Sequence, residues 1–358
     1  MKIAYLLGSL NRGGTETLLL DVFKNADKAK FDFIGIHRKG GSLKEEFYDT
    51  QPKFFKLEPT FPYINYFFKL RQILKSEKID IVHSQQFIDA FYAKIACLGT
   101  KIKVVQTYHG FENGNFLLKF IIKQTVENFF VSNYQREYYT KKYNLNLQKQ
   151  TTVYNGISFE KFAKIYDKPN LPNNDKIGIK MAMVGNFVDV RDQFTVCNFL
   201  KLLKDSGIDF DFYFVGKKDE KTPHFYDECT KFCIKNQLDN VHFVGSRNDV
   251  PAILQNIDAF IYSTDHDTFG IAVIEAIAAE VPTFVNDWNV MKEITENGKF
   301  ANLYKTKDEN DLFDKFLLFL QNENFYKEQA KNNVTEIRKK FSIENHLNNL
   351  NKEYLKLS

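Results

Sequence analysis

Short apolar runs alternate with helix-like segments along the whole chain, and this alternation restricts the fold more than any other feature. Amphipathic helical patterns lie between most of the runs, as at residues 15–25 and 67–76. Strands that alternate with helices favour right-handed βαβ units and parallel sheets, hence an α/β fold. The eleven runs are too many for one doubly wound sheet, so we expect two sheets of five or six strands. The predicted strands are residues 3–7, 31–36, 79–83, 104–108, 128–131, 151–154, 180–184, 210–215, 241–244, 259–262 and 283–286.

A change in composition near the middle of the chain predicts a domain boundary. Residues 161–176 contain two prolines, several Asn and Asp residues and few large apolar side chains, which is typical of a linker. A chain of 358 residues also suits two domains better than one. We therefore expect a first domain at residues 1–165 and a second at 172–341. The amphipathic stretch 342–358 predicts a terminal helix with Ser342 as its N-cap.

Cysteine usage and the start of the chain indicate a reducing compartment. Of the four cysteines, Cys229 and Cys233 are four positions apart, which is poor spacing for zinc without a second pair or nearby histidines. The first apolar run is too short for a secretory signal, and no stretch of about 18 apolar residues predicts a membrane span. We expect a cytoplasmic protein with buried thiols.

A pair of glycines follows the first predicted strand. Gly13 and Gly14 precede a helix pattern, and glycine lets a ligand approach the backbone closely. The N-terminus of that helix offers N–H groups to a phosphate. The spacing from Gly8 to Gly13 is not that of G-x-G-x-x-G, which argues against a nicotinamide dehydrogenase. A plain tight turn between strand and helix explains the same residues equally well.

Two acids eight positions apart give a more specific signal. Asp267 follows a predicted strand, and Phe269 and Gly270 stand where a helix pattern begins. The first amides, at Gly270 and Ile271, are expected to point at an anion. Glu275 lies about one turn further along, within reach of the hydroxyls of a ribose, and Asp267 is placed to accept hydrogen bonds from sugar hydroxyls. The competing interpretation is an acid at a helix N-terminus and an unrelated surface glutamate.

This segment resembles the E-x7-E signature of retaining glycosyltransferases of family 4, with Asp267 at the first acid and Glu275 at the second. The resemblance extends over nearly the whole chain and implies the GT-B fold. In that fold two Rossmann-like doubly wound domains face each other across a cleft, and a C-terminal helix, here 342–358, crosses back to the first domain. The matching segments are residues 13–16, 107–110, 131–132, 154–157, 184–192, 214–216, 243–250 and 267–275.

The resemblance also implies a reaction and the residues that perform it. A sugar would move from a nucleotide-sugar, with UDP the commonest nucleotide, to a hydroxyl of a saccharide or lipid-linked saccharide acceptor in bacterial surface polysaccharide assembly. The second domain would bind the donor and the first the acceptor, without a metal ion or other cofactor. The implied catalytic residues are His109, Arg191 and Asp267. The implied donor-binding residues are Gly13, Gly14, Gly185, Asn186, Arg191, Gly216, Arg247, Val250, Phe269, Gly270, Ile271 and Glu275.

Arg191 and His109 also have ordinary explanations. A departing nucleoside diphosphate concentrates negative charge, which a fixed cation such as Arg191 stabilises; outside the family, a lone arginine after a strand is usually a surface residue. His109 follows a strand at its carboxyl end, where α/β sites gather, and would contact the donor sugar. Otherwise it caps a loop. His83, at the end of the neighbouring strand, is a weaker candidate.

Three departures from the family pattern bear on the rate, the donor and the activity of the protein, and two alternative functions stay open. Asp267 is one methylene shorter than the usual glutamate, Asn186 replaces an arginine, and Glu280 and residues 287–289 occupy a stretch that is often glycine-rich. The alternatives are a nucleotide-sugar epimerase or phosphorylase of the same fold, and a non-catalytic partner subunit. Asp265 and Asp267 also resemble a D-x-D metal motif, which we reject because the surrounding acids have E-x7-E spacing.

Aromatic and basic residues are mixed in two segments of the first domain, residues 54–78 and 115–130. Residues 1–160 carry 23 basic against 15 acidic side chains. A peripheral contact with the inner face of an anionic membrane explains this pattern, and so does core packing with lysines that reach the solvent. No nucleic-acid partner is expected, because no basic stripe accompanies a nucleic-acid-binding motif.

Overall fold

The computed structural model describes residues 1–27, 30–50, 52–111, 116–125, 127–172 and 178–357, and it contains two compact units. The first unit is Met1–Ile157 with Phe341–Ser358, and the second is Ser158–Lys340. The predicted linker at 161–176 belongs to the second unit in this division, and residues 173–177 lie outside the described part.

The first unit is built on a parallel sheet of seven strands in the order β3-β2-β1-β4-β5-β6-β7. Its strands are β1 (Lys2–Leu7), β2 (Asp32–His37), β3 (Lys53–Lys56), β4 (Ile81–Ser84), β5 (Lys103–Tyr108), β6 (Glu127–Phe130) and β7 (Gln150–Thr152). The helices before the unit boundary are α1 (Gly14–Asn25), α2 (Lys44–Tyr48), α3 (Ile64–Ser76), α4 (Phe87–Ala96), α5 (Phe116–Gln124) and α6 (Asn133–Tyr143), with a 3-10 turn at Leu147–Lys149.

The second unit is built on a parallel sheet of six strands in the order β10-β9-β8-β11-β12-β13. Its strands are β8 (Ile179–Val184), β9 (Phe210–Val215), β10 (Val241–Gly245), β11 (Ala259–Tyr262), β12 (Thr283–Asn286) and β13 (Asn302–Tyr304). The remaining helices are α7 (Glu160–Ala163), α8 (Gln193–Asp205), α9 (His224–Lys235), α10 (Val250–Leu254), α11 (Ile271–Ala278), α12 (Asn289–Ile294), α13 (Glu309–Gln321), α14 (Glu323–Phe341) and α15 (Ile343–Leu355). Two parallel, doubly wound sheets confirm the predicted α/β fold class.

Helices cover both faces of the first sheet, which explains the continuous apolar runs of its central strands. In β1, Ile3 and Tyr5 pack in the cluster that includes α1 and α15, whereas Ala4 packs in the cluster with α3 and α4. Alternate side chains of a strand point to opposite faces, so a strand covered on both sides is apolar at every position. The terminal helix is also confirmed, because Oγ of Ser342 caps α15 by accepting from the Asn345 N–H at 3.2 Å.

Eleven strands were predicted, but the described residues form thirteen. The two that the prediction missed, β3 and β13, lie at sheet edges. β3 is four residues long with a lysine at each end, and β13 has three residues. An edge strand pairs on one side only and tolerates half-exposed side chains, so it lacks the apolar run of a central strand. The first sheet is therefore larger than expected.

The cysteine prediction holds, since all four cysteines are buried and free. Among the described residues, no helix is both long and apolar enough to cross a membrane.

Each sheet reverses its strand order at one point, which creates one candidate site per unit. The reversal lies between β1 and β4 in the first sheet and between β8 and β11 in the second. Neighbouring loops diverge there and open a crevice at the carboxyl ends of the strands, where α/β proteins bind ligands. Gly8 and Gln85 follow β1 and β4, and Gly185 and Asp267 follow β8 and β11.

Candidate functional site

Two glycines allow the loops after β8 and β9 to approach each other. A Cβ atom on Gly216 would overlap the carbonyl oxygen of Gly185 and lie 2.9 Å from the amide nitrogen of Asn186. A Cβ atom on Gly185 would lie 3.1 Å from Nε of Arg191. Both glycines, predicted as donor-binding residues, therefore shape the backbone of this site, and Gly185 leaves room for the arginine.

The side chain of Arg191 lies beside Asp267 and Tyr262. Its Nη1 is 3.1 Å from Oδ2 of Asp267, and its guanidinium carbon is 5.2 Å from the centroid of the Tyr262 ring. The Tyr262 hydroxyl donates to the same Oδ2 at 2.6 Å. Burial, the largest single influence, lowers the pKa of Arg191, but Asp267 and Tyr262 together outweigh it, so the pKa of Arg191 is raised. The structure thus brings together two of the three predicted catalytic residues.

The carboxylate of Asp267 already has hydrogen-bond and ion-pair partners within the protein. The residue is 8% exposed, and its Oδ1 accepts a hydrogen bond from the Thr268 N–H at 2.8 Å. In contrast, Nε and Nη1 of Arg191 are buried and make no hydrogen bond of normal geometry with the described residues. Nη1 is close enough to Asp267 for an ion pair, but the geometry is not that of a hydrogen bond. Buried cationic donors of this kind favour an anionic ligand.

Helix α11 begins beside this ion pair. Gly270 caps it with φ +84° and ψ +58°, a left-handed conformation that favours glycine. The first amides of the helix, from Ile271 onward, carry the positive end of its dipole. Glu275 lies one turn further along and is half-buried, whereas Phe269 is 2% exposed and packs in the interior.

Two further predicted donor contacts make bonds within the protein. Oδ1 of Asn186 accepts from the Lys217 N–H at 3.0 Å, which ties the loop after β8 to the loop after β9. Arg247 donates twice to Asp249, at 2.8 and 2.7 Å, and these hydrogen bonds raise the pKa of Arg247. Val250 is the first residue of α10 and is half-buried. These residues therefore support the loops around the site.

The two carboxylates of the D-x-D-like segment pair with different cations. Oδ2 of Asp265 lies 2.9 Å from Nζ of Lys307, whereas Asp267 pairs with Arg191. No group of three His, Cys, Asp or Glu side chains in the described ranges is arranged to hold a metal ion.

The first unit has a pocket of about 150 Å³ at the carboxyl ends of β1 and β4. Nε2 of His109 lies 2.7 Å from Oε1 of Gln85 at its wall. Burial, and secondly the nearby His346, lower the pKa of His109 to about 3, so its imidazole is neutral at neutral pH. The pocket is lined by Leu7, Gly8, Ser9, Thr15, Glu16, Leu19, Gln85, Gln86 and His109.

Glu16 lies close to the glycine turn beside this pocket. A Cβ atom on Gly13 would lie 2.7 Å from Oε2 of Glu16, and Gly14 is the first residue of α1. Burial raises the pKa of Glu16. The helix N-terminus that was predicted to accept a phosphate therefore has a carboxyl group of its own next to it.

His83 belongs to the core and not to the pocket. It is 1% exposed, and its Nδ1 and Nε2 lie 2.5 Å from the Tyr354 hydroxyl and 2.7 Å from Oγ1 of Thr107. The Tyr354 hydroxyl also lies 2.8 Å from that of Tyr5. These bonds connect α15 to the first sheet, so we assign His83 a structural role.

Sequence reasoning missed Tyr262 and Gln85. Tyr262 is the last residue of a predicted strand, and Gln85 stands two positions after another. Both strands lie next to a point of strand-order reversal. A search for polar side chains at the carboxyl ends of these strands would have found them.

Two family models match the chain in succession. The model described as Glycosyltransferase Family 4 matches residues 12–161, and the model described as Glycosyl transferases group 1 matches residues 161–336. Together they span both units.

Characterised relatives and a solved structure agree with these matches. The UDP-Gal:alpha-D-GlcNAc-diphosphoundecaprenol alpha-1,3-galactosyltransferase of Escherichia coli is 24% identical over 99% of this chain and 97% of that protein. The N,N'-diacetylbacillosaminyl-diphospho-undecaprenol alpha-1,3-N-acetylgalactosaminyltransferase of Campylobacter jejuni is 26% identical over 74% of both. The crystal structure of Anabaena HepE in complex with UDP and glucose matches with a TM-score of 0.84 at 14% identity over 99% of both chains. The chain is a glycosyltransferase with the GT-B fold and belongs to family 4.

Proposed function

We propose that this glycosyltransferase moves a sugar from a UDP-sugar to a hydroxyl of a lipid-linked saccharide, with retention of the anomeric configuration, in the assembly of a bacterial surface polysaccharide. The observation that carries the donor site is the buried guanidinium of Arg191, which lies beside Asp267 where the strand order of the second sheet reverses. A diphosphate supplies the oxygen acceptors that its buried N–H groups require.

In this proposal the diphosphate lies between Arg191 and the N-terminus of α11. As the bond between sugar and diphosphate breaks, negative charge grows on the leaving oxygens, and the guanidinium and the helix dipole stabilise it. Glu275 accepts hydrogen bonds from the ribose hydroxyls, and Asp267 holds Arg191 in place. No metal ion takes part, and Asp265 is already paired with Lys307.

His109 is the catalytic candidate of the first unit. Its neutral imidazole is oriented by Gln85 at the wall of a pocket. A neutral imidazole both donates and accepts hydrogen bonds, which suits a sugar hydroxyl better than an imidazolium would. We therefore propose that His109 contacts a reacting sugar.

The relatives support the nucleotide and the class of acceptor. The Escherichia coli protein is named for a UDP-Gal donor and a diphosphoundecaprenol-linked acceptor, and the Campylobacter jejuni protein for a diphospho-undecaprenol-linked acceptor. A saccharide on such a carrier is anchored in a bilayer, so the enzyme would work at a membrane surface.

Donor binding tests the proposal most directly. We expect UDP, and not GDP, ADP or CMP, to raise the melting temperature of the protein with and without magnesium. We expect Glu275→Ala to weaken UDP binding in calorimetry at least tenfold, because a charge-assisted hydrogen bond contributes about 1.5–3 kcal/mol. Glu280→Gln, which removes an exposed carboxylate after the other end of α11, is the matched control. Unchanged UDP affinity in Glu275→Ala would remove the ribose assignment.

The same preparations test the catalytic role and the stereochemistry. We expect His109→Ala to lower kcat far more than it weakens UDP binding, and equal turnover would make His109 structural. Proton NMR of the fresh product reports its anomeric configuration, and inversion relative to the donor would contradict a retaining reaction.

A further inference from the structure

Four large apolar side chains are exposed where β3 leads into α3. Phe61, Tyr63, Ile64 and Phe68 are 89%, 52%, 53% and 64% exposed, respectively. Phe61 and Tyr63 precede the helix with their ring centroids 6.4 Å apart, and Ile64 and Phe68 lie one turn apart on it. We call these four residues the apolar tip. Large exposed apolar side chains that cluster in this way are typical of a surface that binds a partner or a membrane.

The apolar tip is held in place by the opposite side of α3. Tyr66, Leu70 and Leu74 are buried in the core, and the Tyr66 ring packs 5.0 Å from that of Tyr92 on α4. The helix is thus anchored on one side while the tip faces outward. Its exposure follows from the fold and does not depend on a free chain end.

The chain segment that carries the apolar tip is basic. No acidic residue occurs from position 59 to position 76. Lys69, next to Phe68, and Lys75, roughly 10 Å further along the axis at 1.5 Å per residue, are both exposed. Arg71 is committed to the fold, since it donates to the carbonyl oxygen of Ala96 at 2.8 Å. An apolar end followed by lysines has the charge pattern that complements an anionic lipid surface.

The position of the apolar tip relates it to the pocket of the first unit. β3 runs parallel to the other strands of its sheet, and the tip follows the carboxyl end of β3. Gln85 and His109 follow the carboxyl ends of β4 and β5. The apolar tip and the pocket therefore lie at the same edge of the first sheet.

We infer that the apolar tip inserts into the interfacial region of an anionic lipid bilayer, with Lys69 and Lys75 among the head groups. Aromatic rings favour the interface between water and hydrocarbon, and lysines keep their charge in water while their stems cover apolar surface. The inference rests on the proposed function for its purpose, because a bilayer-anchored acceptor would be presented at the edge that holds the pocket. Lipid binding itself needs neither donor nor acceptor.

Vesicle binding tests this inference separately from catalysis. We expect the wild-type protein to co-sediment with vesicles of phosphatidylglycerol and phosphatidylcholine, and far less with phosphatidylcholine alone. Phe61→Ser with Phe68→Ser should lower the partition coefficient at least tenfold, and Lys69→Gln with Lys75→Gln should lower it only for anionic vesicles. The matched control is Ile234→Ser with Phe325→Ser, which removes side chains 78% and 63% exposed in the second unit.

Several results would overturn the inference. One is that the wild-type protein does not bind anionic vesicles. Another is that the tip variant, Phe61→Ser with Phe68→Ser, binds them as well as the wild type does. A third is a wild-type dimer in light scattering that becomes monomeric in the tip variant without vesicle binding, because the tip would then cover a second copy of the chain. UDP affinity measured on the same samples shows that the variants are folded, and it separates failure of the donor assignment from failure of the lipid assignment.

Discussion

The ion pair between Arg191 and Asp267 can be tested as a source of stability. Charges 3.1 Å apart attract by about 5 kcal/mol at an effective dielectric constant of about 20. Desolvation of both groups cancels part of this gain, because their side chains are only 19% and 11% exposed. We therefore expect a coupling energy of about 2–3 kcal/mol between the two residues.

Each single substitution should cost about as much as the coupling energy itself. Asp267→Asn leaves a buried guanidinium without a counterion, and we expect it to lower the free energy of unfolding by about 3 kcal/mol. Arg191→Met should cost about 2 kcal/mol, since the remaining carboxylate keeps its hydrogen bonds from Tyr262 and Thr268. The double variant leaves no charge unpaired. Its loss in free energy of unfolding should therefore be close to that of either single variant and well below their sum.

The protein contains a convenient reporter for this cycle. Trp288 is the single tryptophan of the chain, and its Nε1 donates to the Asp267 carbonyl at 3.2 Å. Urea unfolding followed by its fluorescence therefore reports on the second unit at the ion pair itself. A coupling energy below about 0.5 kcal/mol would mean that the two substitutions act independently. That result would refute the reasoning, because residues of an effective buried ion pair depend on each other.

Two further changes test the packing and the pH dependence. Gly216→Ala should destabilise the second unit by about 2–3 kcal/mol, because the new methyl group meets backbone atoms of Gly185 that cannot move alone. Gly40→Ala, in the first unit and with no atom within 4 Å of the added carbon, should change the free energy of unfolding by less than about 0.5 kcal/mol in a urea titration followed by circular dichroism, which reports on both units. Burial lowers the pKa of His346 from 6.5 to about 4, so between these values the unfolded chain binds a proton that the folded chain excludes. The contribution of neutral His346 to the free energy of unfolding is present above pH 6.5 and falls by about 3 kcal/mol as the pH drops to 4. His346→Asn, which keeps an N–H near the Tyr154 carbonyl, should make the unfolding free energy fall less steeply between pH 6.5 and pH 4, although buried His109 still contributes, and parallel profiles would contradict this cause.

Every central strand was predicted from the sequence, whereas two of the four edge strands, β3 and β13, were not. β9, Phe210–Val215, is buried at every position and was predicted with its observed bounds. β3 has two half-buried phenylalanines between two exposed lysines and carries no comparable signal. The difference is physical: burial on both faces makes a strand uniformly apolar, whereas an edge strand is partly exposed.

The candidate site divides in a similar way. The spacing from Asp267 through Gly270 to Glu275 is local, and the structure places these residues before, at and within one helix as the sequence suggests. The pairing of Arg191 with Asp267 joins two loops distant in sequence, and it became visible only when β8 and β11 lay side by side. A spacing pattern contains no information about such a contact.

The two departures from the family pattern in this site have local structural reasons. The carboxylate of Asp267 is held among Arg191, Tyr262 and the Thr268 N–H. Asn186 uses its amide to join two loops, a bond that places no charge in the site. In the proposed donor site, the charge of Arg191 is therefore already balanced by Asp267. On this proposal, an incoming diphosphate would obtain its remaining stabilisation from the N-terminus of α11 and from N–H donors, and Asp267 would set the strength of donor binding through Arg191.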